Sequence, residues 1–183
     1  MMKLIFLISV LKLASSSDRQ VTIDCNFQIS SGWHIFDDLY TCEVTSISSN
    51  IIEPNTLITG ISGNHLDGKM NQNVEAVRFK ELTVNYFPVG LQKFFPNLIA
   101  ISILSSHLKE IKQSDLFPFP QLKYLNLYDN DLRIIRNNLF EFTEHLEVIG
   151  LHYNDIKDVD LKTFDKLKKL KYLWLIELNN DRI

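Results

Sequence analysis

The chain has 183 residues, of which 45% are hydrophobic, so it is long enough to bury the core of one ordinary domain. Its net charge of -3 at pH 7 is too small to indicate a nucleic-acid partner. Glycine and proline are sparse, with 6 and 5 residues, and no low-complexity linker divides the chain.

The first 17 residues have the features of a signal peptide. Lys3 gives a positive start, residues 4–10 form an apolar run interrupted once, and Ala14 and Ser16 suit the small-residue positions before a cleavage point. A buried helix or a membrane anchor is the alternative, but a bilayer span needs about 20 apolar residues and this run is shorter. We therefore expect residues 1–17 to be a signal peptide, the protein to be secreted into the extracellular space, and no later segment to span a membrane.

The chain has two cysteines, Cys25 and Cys42. In a secreted protein they meet an oxidising compartment, so we expect them to form a disulfide, with two buried free thiols as the alternative. Neither cysteine has the close cysteine or histidine neighbours of a zinc site, so we expect no metal there.

From residue 74 onward a 24-residue period organises the chain. Each segment has apolar residues at its positions 1, 4, 6, 11 and 14, and the segments begin at Val74, Leu98, Leu122, Leu146 and Leu170. Positions 4 and 6 lie on one face of a strand, so each segment predicts one strand facing the core. Asn130 and Asn154 stand at position 9, where an amide can bond the turning backbone. Late in the segments, Phe117, Phe140 and Phe164 are expected to fill the space behind the strands.

The shared pattern, L-x-x-L-x-L-x-x-N-x-L, resembles the leucine-rich repeat superfamily over residues 74–178. The segments FPVGLQKFFPNL, YTCEV and ITGISGNH are similar to small secreted insect leucine-rich repeat proteins. The superfamily resemblance implies an α/β repeat solenoid, a horseshoe arc with a parallel β-sheet on its concave side. It also implies an N-terminal cap over residues 18–73, bridged by the disulfide, followed by about five repeats over residues 74–183 without a C-terminal cap.

In the geometry that this resemblance implies, positions 3, 5, 7 and 8 of each repeat point out of the concave sheet. The last three repeats have six aromatic or histidine residues at these positions, namely Tyr124, Tyr128, His152, Tyr153, Tyr172 and Trp174. Tyrosine and tryptophan bury a large area and keep a polar group, so we hypothesise that these residues bind a protein partner. The alternative is that the rings only stack as cross-strand neighbours.

No arrangement of residues in the sequence indicates catalysis. Residues 63–69 read GNHLDGK and match the phosphate-binding pattern G-x-x-x-x-G-K, but Met70 stands where serine or threonine would hold magnesium. The histidines form no zinc-binding motif, and no G-x-S-x-G motif occurs. We therefore expect a protein that is not an enzyme and that has no cofactor and no metal.

Together these features predict a secreted, non-enzymatic binding module that recognises an extracellular protein on its concave sheet. The alternative is a structural protein that self-associates as a homodimer through its C-terminal edge. Leu170, Leu173 and Leu175 lie close to Ile183 with no cysteine cap after them, and an end repeat needs a cover for its core.

Overall fold

The computed structural model describes residues 19–175. The predicted signal peptide, residues 1–17, lies outside these residues, as do residues 176–183, on which the predicted uncapped end depends. The strands are β1 (Gln20–Ser30), β2 (Leu39–Ile47), β3 (Leu57–Ser62), β4 (Ala76–Lys80), β5 (Ala100–Leu104), β6 (Tyr124–Asn126), β7 (Ile134–Ile135), β8 (Val148–Gly150), β9 (Asp158–Val159) and β10 (Tyr172–Trp174).

Helices contribute little to the fold. The α-helices are α1 (Leu91–Phe94) and α2 (Gln113–Leu116), and the 3₁₀ helices are Asn71–Asn73 and Leu161–Phe164. Each is about one turn long. Across residues 19–175, no helix has the length and apolar character that a membrane crossing requires.

The 24-residue period is visible in the strands. β4, β5, β6, β8 and β10 begin at residues 76, 100, 124, 148 and 172, which is the third position of each repeat. At positions 4 and 6, Val77, Phe79, Ile101 and Ile103 have no exposed surface and form part of the core. The predicted strands are therefore confirmed, with apolar burial at alternate positions as their cause.

These strands form the parallel part of an eight-stranded sheet. Its order is β10-β8-β6-β5-β4-β2-β1-β3, and every neighbouring pair from β2 to β10 is parallel. Because the register is the same in each repeat, Ala76, Ala100, Tyr124, Val148 and Tyr172 lie side by side across the sheet. The predicted repeat arc with a parallel sheet is confirmed.

The N-terminal hairpin extends this sheet. β1 and β2 are antiparallel and are joined by the disulfide Cys25–Cys42, which confirms the predicted bridge and excludes free thiols. β2 then pairs in parallel with β4, so the first repeat strand finds a partner in the hairpin instead of an open edge.

One core prediction was wrong. Phe140 is buried and Phe164 packs against the core, but Phe117 is 60% exposed. Phe119, two residues later, occupies the core in its place and is 5% exposed. Phe117 instead lies edge-on against Phe142, with 5.0 Å between ring centroids.

Candidate protein-binding face

The concave face is the side of the sheet turned away from the core, and asparagine residues fix the turns at its edge. The Asn130 side-chain nitrogen donates to the carbonyl of Tyr128 at 3.1 Å, and that of Asn154 donates to the carbonyl of His152 at 3.3 Å. Each amide therefore holds the backbone of the position-7 residue, whose side chain lies on the concave face.

The residue at position 8 has a left-handed backbone in four successive repeats. The φ angles are 57° for Glu81, 48° for Ser105, 55° for Asp129 and 58° for Tyr153. This conformation is uncommon for side chains other than glycine, asparagine and aspartate, and bulky residues in it are outliers. Tyr153 is thus a large ring at a backbone position that suits small polar residues, and such strain is concentrated at functional sites.

Tyr128, His152 and Tyr153 form what we call the ring cluster. Their centroids are 4.7 Å apart for Tyr128–His152, 4.9 Å for Tyr128–Tyr153 and 5.7 Å for His152–Tyr153. Tyr153 is 46% exposed, and the other two are half-buried. Three of the six predicted binding residues therefore lie together as one surface.

Tyr172 and Trp174 continue this surface on β10. Trp174 lies 6.0 Å from His152 and 6.0 Å from Tyr172, measured between ring centroids. His34, which the sequence did not single out, contacts both β10 rings edge-on, at 4.3 Å from Tyr172 and 4.8 Å from Trp174. Tyr172 nevertheless remains 41% exposed.

The prediction that Tyr124 belongs to an exposed binding surface was wrong, because its side chain is only 5% exposed. Trp33 packs edge-on against its ring at 5.3 Å between centroids, and Phe36 lies at 6.4 Å. Loss of solvent around the ring raises the pKa of the Tyr124 phenol, while the hydrogen bond from the Asn126 amide and the charge of Arg78 lower it. Tyr124 is therefore not available to a partner in this structure.

The residues that cover Tyr124 belong to the β1–β2 loop, residues 31–38. Trp33 from this loop has no exposed surface and shares a buried cluster with Ala76, Ala100, Tyr124 and Val148. The alanines stand at position 3 of the first two repeats, where later repeats have larger side chains, and their small size leaves room for the indole. These alanines were the only sequence signal for this contact.

Arg78 holds the loop on the sheet. Its guanidinium lies 4.2 Å from the centre of the Trp33 ring, in a cation–π contact, and donates to the Ser31 carbonyl at 3.4 Å. The same guanidinium pairs with Glu43 at 2.6 Å. Glu43 and Arg78 are register partners on β2 and β4, so the sheet itself brings the two charges together.

Gly150 leaves space between the rings, and Asn126 fills that space. A Cβ atom at Gly150 would collide with the Asn126 side-chain oxygen, so a larger residue here would displace the Asn126 side chain. That oxygen accepts a hydrogen bond from the Tyr128 backbone N–H at 3.1 Å, and the Asn126 amide nitrogen donates to the Tyr124 hydroxyl at 3.1 Å. Asn126 therefore links the buried ring to the exposed cluster.

The segment that matches the phosphate-binding pattern packs against the hairpin. His65 forms hydrogen bonds with the Tyr40 hydroxyl at 2.9 Å and the Asn71 side-chain oxygen at 2.9 Å, and it stacks on Phe27. A three-residue 3₁₀ helix follows, whereas a phosphate-binding loop opens a helix with free N–H groups. In the part of the chain from 19 to 175, no three histidine, cysteine or acidic side chains are grouped to hold a metal ion.

Comparison with known proteins agrees with this architecture. Residues 120–180 match the family model described as leucine rich repeat, and a search of curated proteins found no match. The matched segment includes the ring cluster, whose residues follow β6 and β8, and β10 with Tyr172 and Trp174. Leucine-rich repeats generally mediate contacts between proteins and are a non-enzymatic binding fold. The matched residues make up about a third of the chain, and the parallel sheet with its 24-residue period has the fold of a leucine-rich repeat arc.

Proposed function

We propose that this protein is a secreted, non-enzymatic binding module that recognises an extracellular protein with the C-terminal half of its concave face. The observation that carries the proposal is the continuous surface of the ring cluster with Tyr172 and Trp174. Tyr153 and Tyr172 are 46% and 41% exposed, and exposed apolar surface of this kind typically marks a contact with another molecule.

The geometry favours recognition over mere stacking. Stacking explains why Tyr128 touches His152, but it gives no reason for Tyr153 and Tyr172 to remain accessible. The backbone under the rings is already fixed by Asn130 and Asn154, so binding would cost little additional ordering. The rings are therefore suited to act as anchors for a partner.

The disulfide supports a location outside the cell. Thiols in the cytosol are kept reduced, whereas the Cys25–Cys42 bridge is formed in this structure. This agrees with the predicted signal peptide and with an extracellular protein as the partner.

The test is capture of the partner from extracellular fluid by immobilised protein. We expect the double substitution Tyr128→Ala and Tyr153→Ala to weaken capture about thirtyfold, since an anchor side chain contributes about 2 kcal/mol or more. The matched control is Phe117→Ala with Phe142→Ala, which removes an exposed ring pair outside the sheet. If both double variants captured the partner equally well, the ring cluster would not be the binding surface.

A second candidate is self-association through the last repeat. β10 is the outermost strand of the sheet among residues 19–175, and its Leu173 is only half-buried, in contrast to the fully buried Ile149 on β8. A second copy that covers this edge would bury Leu173. Light scattering should then show a mass that rises from one chain to two with concentration, and a constant single-chain mass would exclude this candidate.

A further inference from the structure

The β1–β2 loop is longer than its hairpin requires. Pairing between β1 and β2 continues to Ser30 and Leu39, and two residues suffice to close an antiparallel hairpin. Residues 31–38 are present instead, and they cross the concave face as far as β10, where His34 meets Tyr172. The additional length therefore serves contacts with the face and is not needed for the turn.

Beneath the loop lies an apolar depression that we call the trough, formed by Ala76, Ala100, Tyr124 and Val148. The two alanines leave room at its floor because they have no side-chain atoms beyond Cβ. Tyr124 supplies an aromatic wall, and the Arg78 guanidinium lies against the ring that enters. A planar aromatic side chain is the group that this shape and charge accommodate best.

The loop is attached to the trough mainly through side chains. Within residues 19–175, the hydrogen bond from Arg78 to the Ser31 carbonyl is the one that ties the loop to the sheet. The other backbone bond of the loop, from Phe36 to Trp33, is internal. Few backbone hydrogen bonds therefore oppose release of the loop, and the burial of the Trp33 ring is its main attachment to the sheet.

Burial of Trp33 in the trough also has a free-energy cost. Its indole N–H is fully buried and has no hydrogen-bond partner among residues 19–175. A buried donor without an acceptor destabilises the state that contains it, since the same donor would bond water when exposed. His34 adds to this cost, because it is a residue other than glycine with a φ of 60°.

We propose that the β1–β2 loop is an internal occupant of the trough, and that a protein partner displaces Trp33 with an exposed aromatic side chain of its own. This inference rests on the proposed function, because it assumes that the partner binds the concave face. The loop competes as a tethered ligand and lowers the apparent affinity by the fraction of molecules in which the trough is filled. Release of the loop also exposes Tyr124, which completes the row of rings along the face.

The probe for the test is a synthetic peptide with the sequence of the loop itself, SGWHIFDD, titrated into the full-length protein by calorimetry. We expect the Trp33→Ala protein, whose trough is vacant, to bind the peptide about thirtyfold more tightly than wild type does. The same peptide with alanine in place of its tryptophan should lose this binding. In the Trp33→Ala protein, Ala100→Leu should fill the trough and abolish peptide binding.

Phe36→Ala is a second variant that leaves Trp33 and all residues of the trough in place. It removes the contact of the loop's own Phe36 with Tyr124, at 6.4 Å between ring centroids, so the loop is held less firmly and peptide binding should lie between that of wild type and Trp33→Ala. Equal affinity of wild type and both variants, or no binding by either variant, would overturn the proposal. Phe117→Ala with Phe142→Ala in the Trp33→Ala protein should leave peptide binding unchanged, since this ring pair lies outside the sheet. Peptide binding reports on the trough and partner capture reports on the ring cluster, so either test can fail without the other.

Discussion

Among residues 19–175, Asn130 makes more hydrogen bonds than any other side chain at the turns of the repeats. It is 8% exposed, and its amide makes five hydrogen bonds, to the backbone of Ser106, Leu108, Ile103, Leu127 and Tyr128. Three of these residues belong to the preceding repeat. One side chain therefore joins the turns of two repeats and satisfies backbone groups that no strand pairs.

For Asn130→Ala we expect a loss of about 3 kcal/mol in the free energy of unfolding, because several buried donors and acceptors would be left unpaired. Equilibrium urea denaturation measures this loss. Asn137→Ala is the matched control, since Asn137 is an exposed asparagine and its loss should be close to zero. Similar losses for the two variants would show that the five hydrogen bonds do not stabilise the turn.

Side-chain roles were predictable where the repeat dictates them. Position 9 indicated correctly that Asn130 and Asn154 bond the turning backbone, because the period places each at the end of a strand. The burial of Tyr124 was not predictable in this way. Its exposure depends on Trp33, which lies in the hairpin loop, outside the 24-residue repeats.

At the scale of elements, the β1–β2 hairpin covers the N-terminal edge of the repeat sheet, because β2 pairs with β4. Buried and exposed residues alternate along β1, with Val21, Ile23, Cys25 and Phe27 inside. This alternation is typical of a half-buried strand and could have predicted β1 from the sequence. The partners of β1 could not be predicted, because its register with β2 and β3 depends on packing between segments that share no repeat.

We expect that replacing Cys25 and Cys42 together by alanine will lower the free energy of unfolding by about 3 kcal/mol, since the bridge closes a loop with a sequence separation of 17. Urea denaturation of this variant gives the loss. Wild type treated with a reducing agent is the second sample, because it breaks the bridge without removing either side chain. An unchanged midpoint after complete reduction would contradict a stabilising role.

At the scale of the whole molecule, the arc follows from repetition. Each repeat supplies one strand, and identical register between neighbours makes the sheet continuous from β10 to the hairpin. The 24-residue spacing therefore contained nearly all the information needed for this part of the fold. It contained none about the loop across the concave face, because that contact joins Trp33 to alanines whose only feature is the absence of a larger side chain.

The contact between the β1–β2 loop and β10 has a consequence for how the number of repeats can change in evolution. The loop has a fixed length, while each repeat widens the sheet by about 4.8 Å. Gain or loss of one 24-residue unit by recombination would preserve the register of every strand, yet it would change the distance between β10 and His34. A duplication would leave the terminal rings uncontacted, and a deletion would crowd them. The fixed length of the loop therefore constrains the number of strands between β2 and β10.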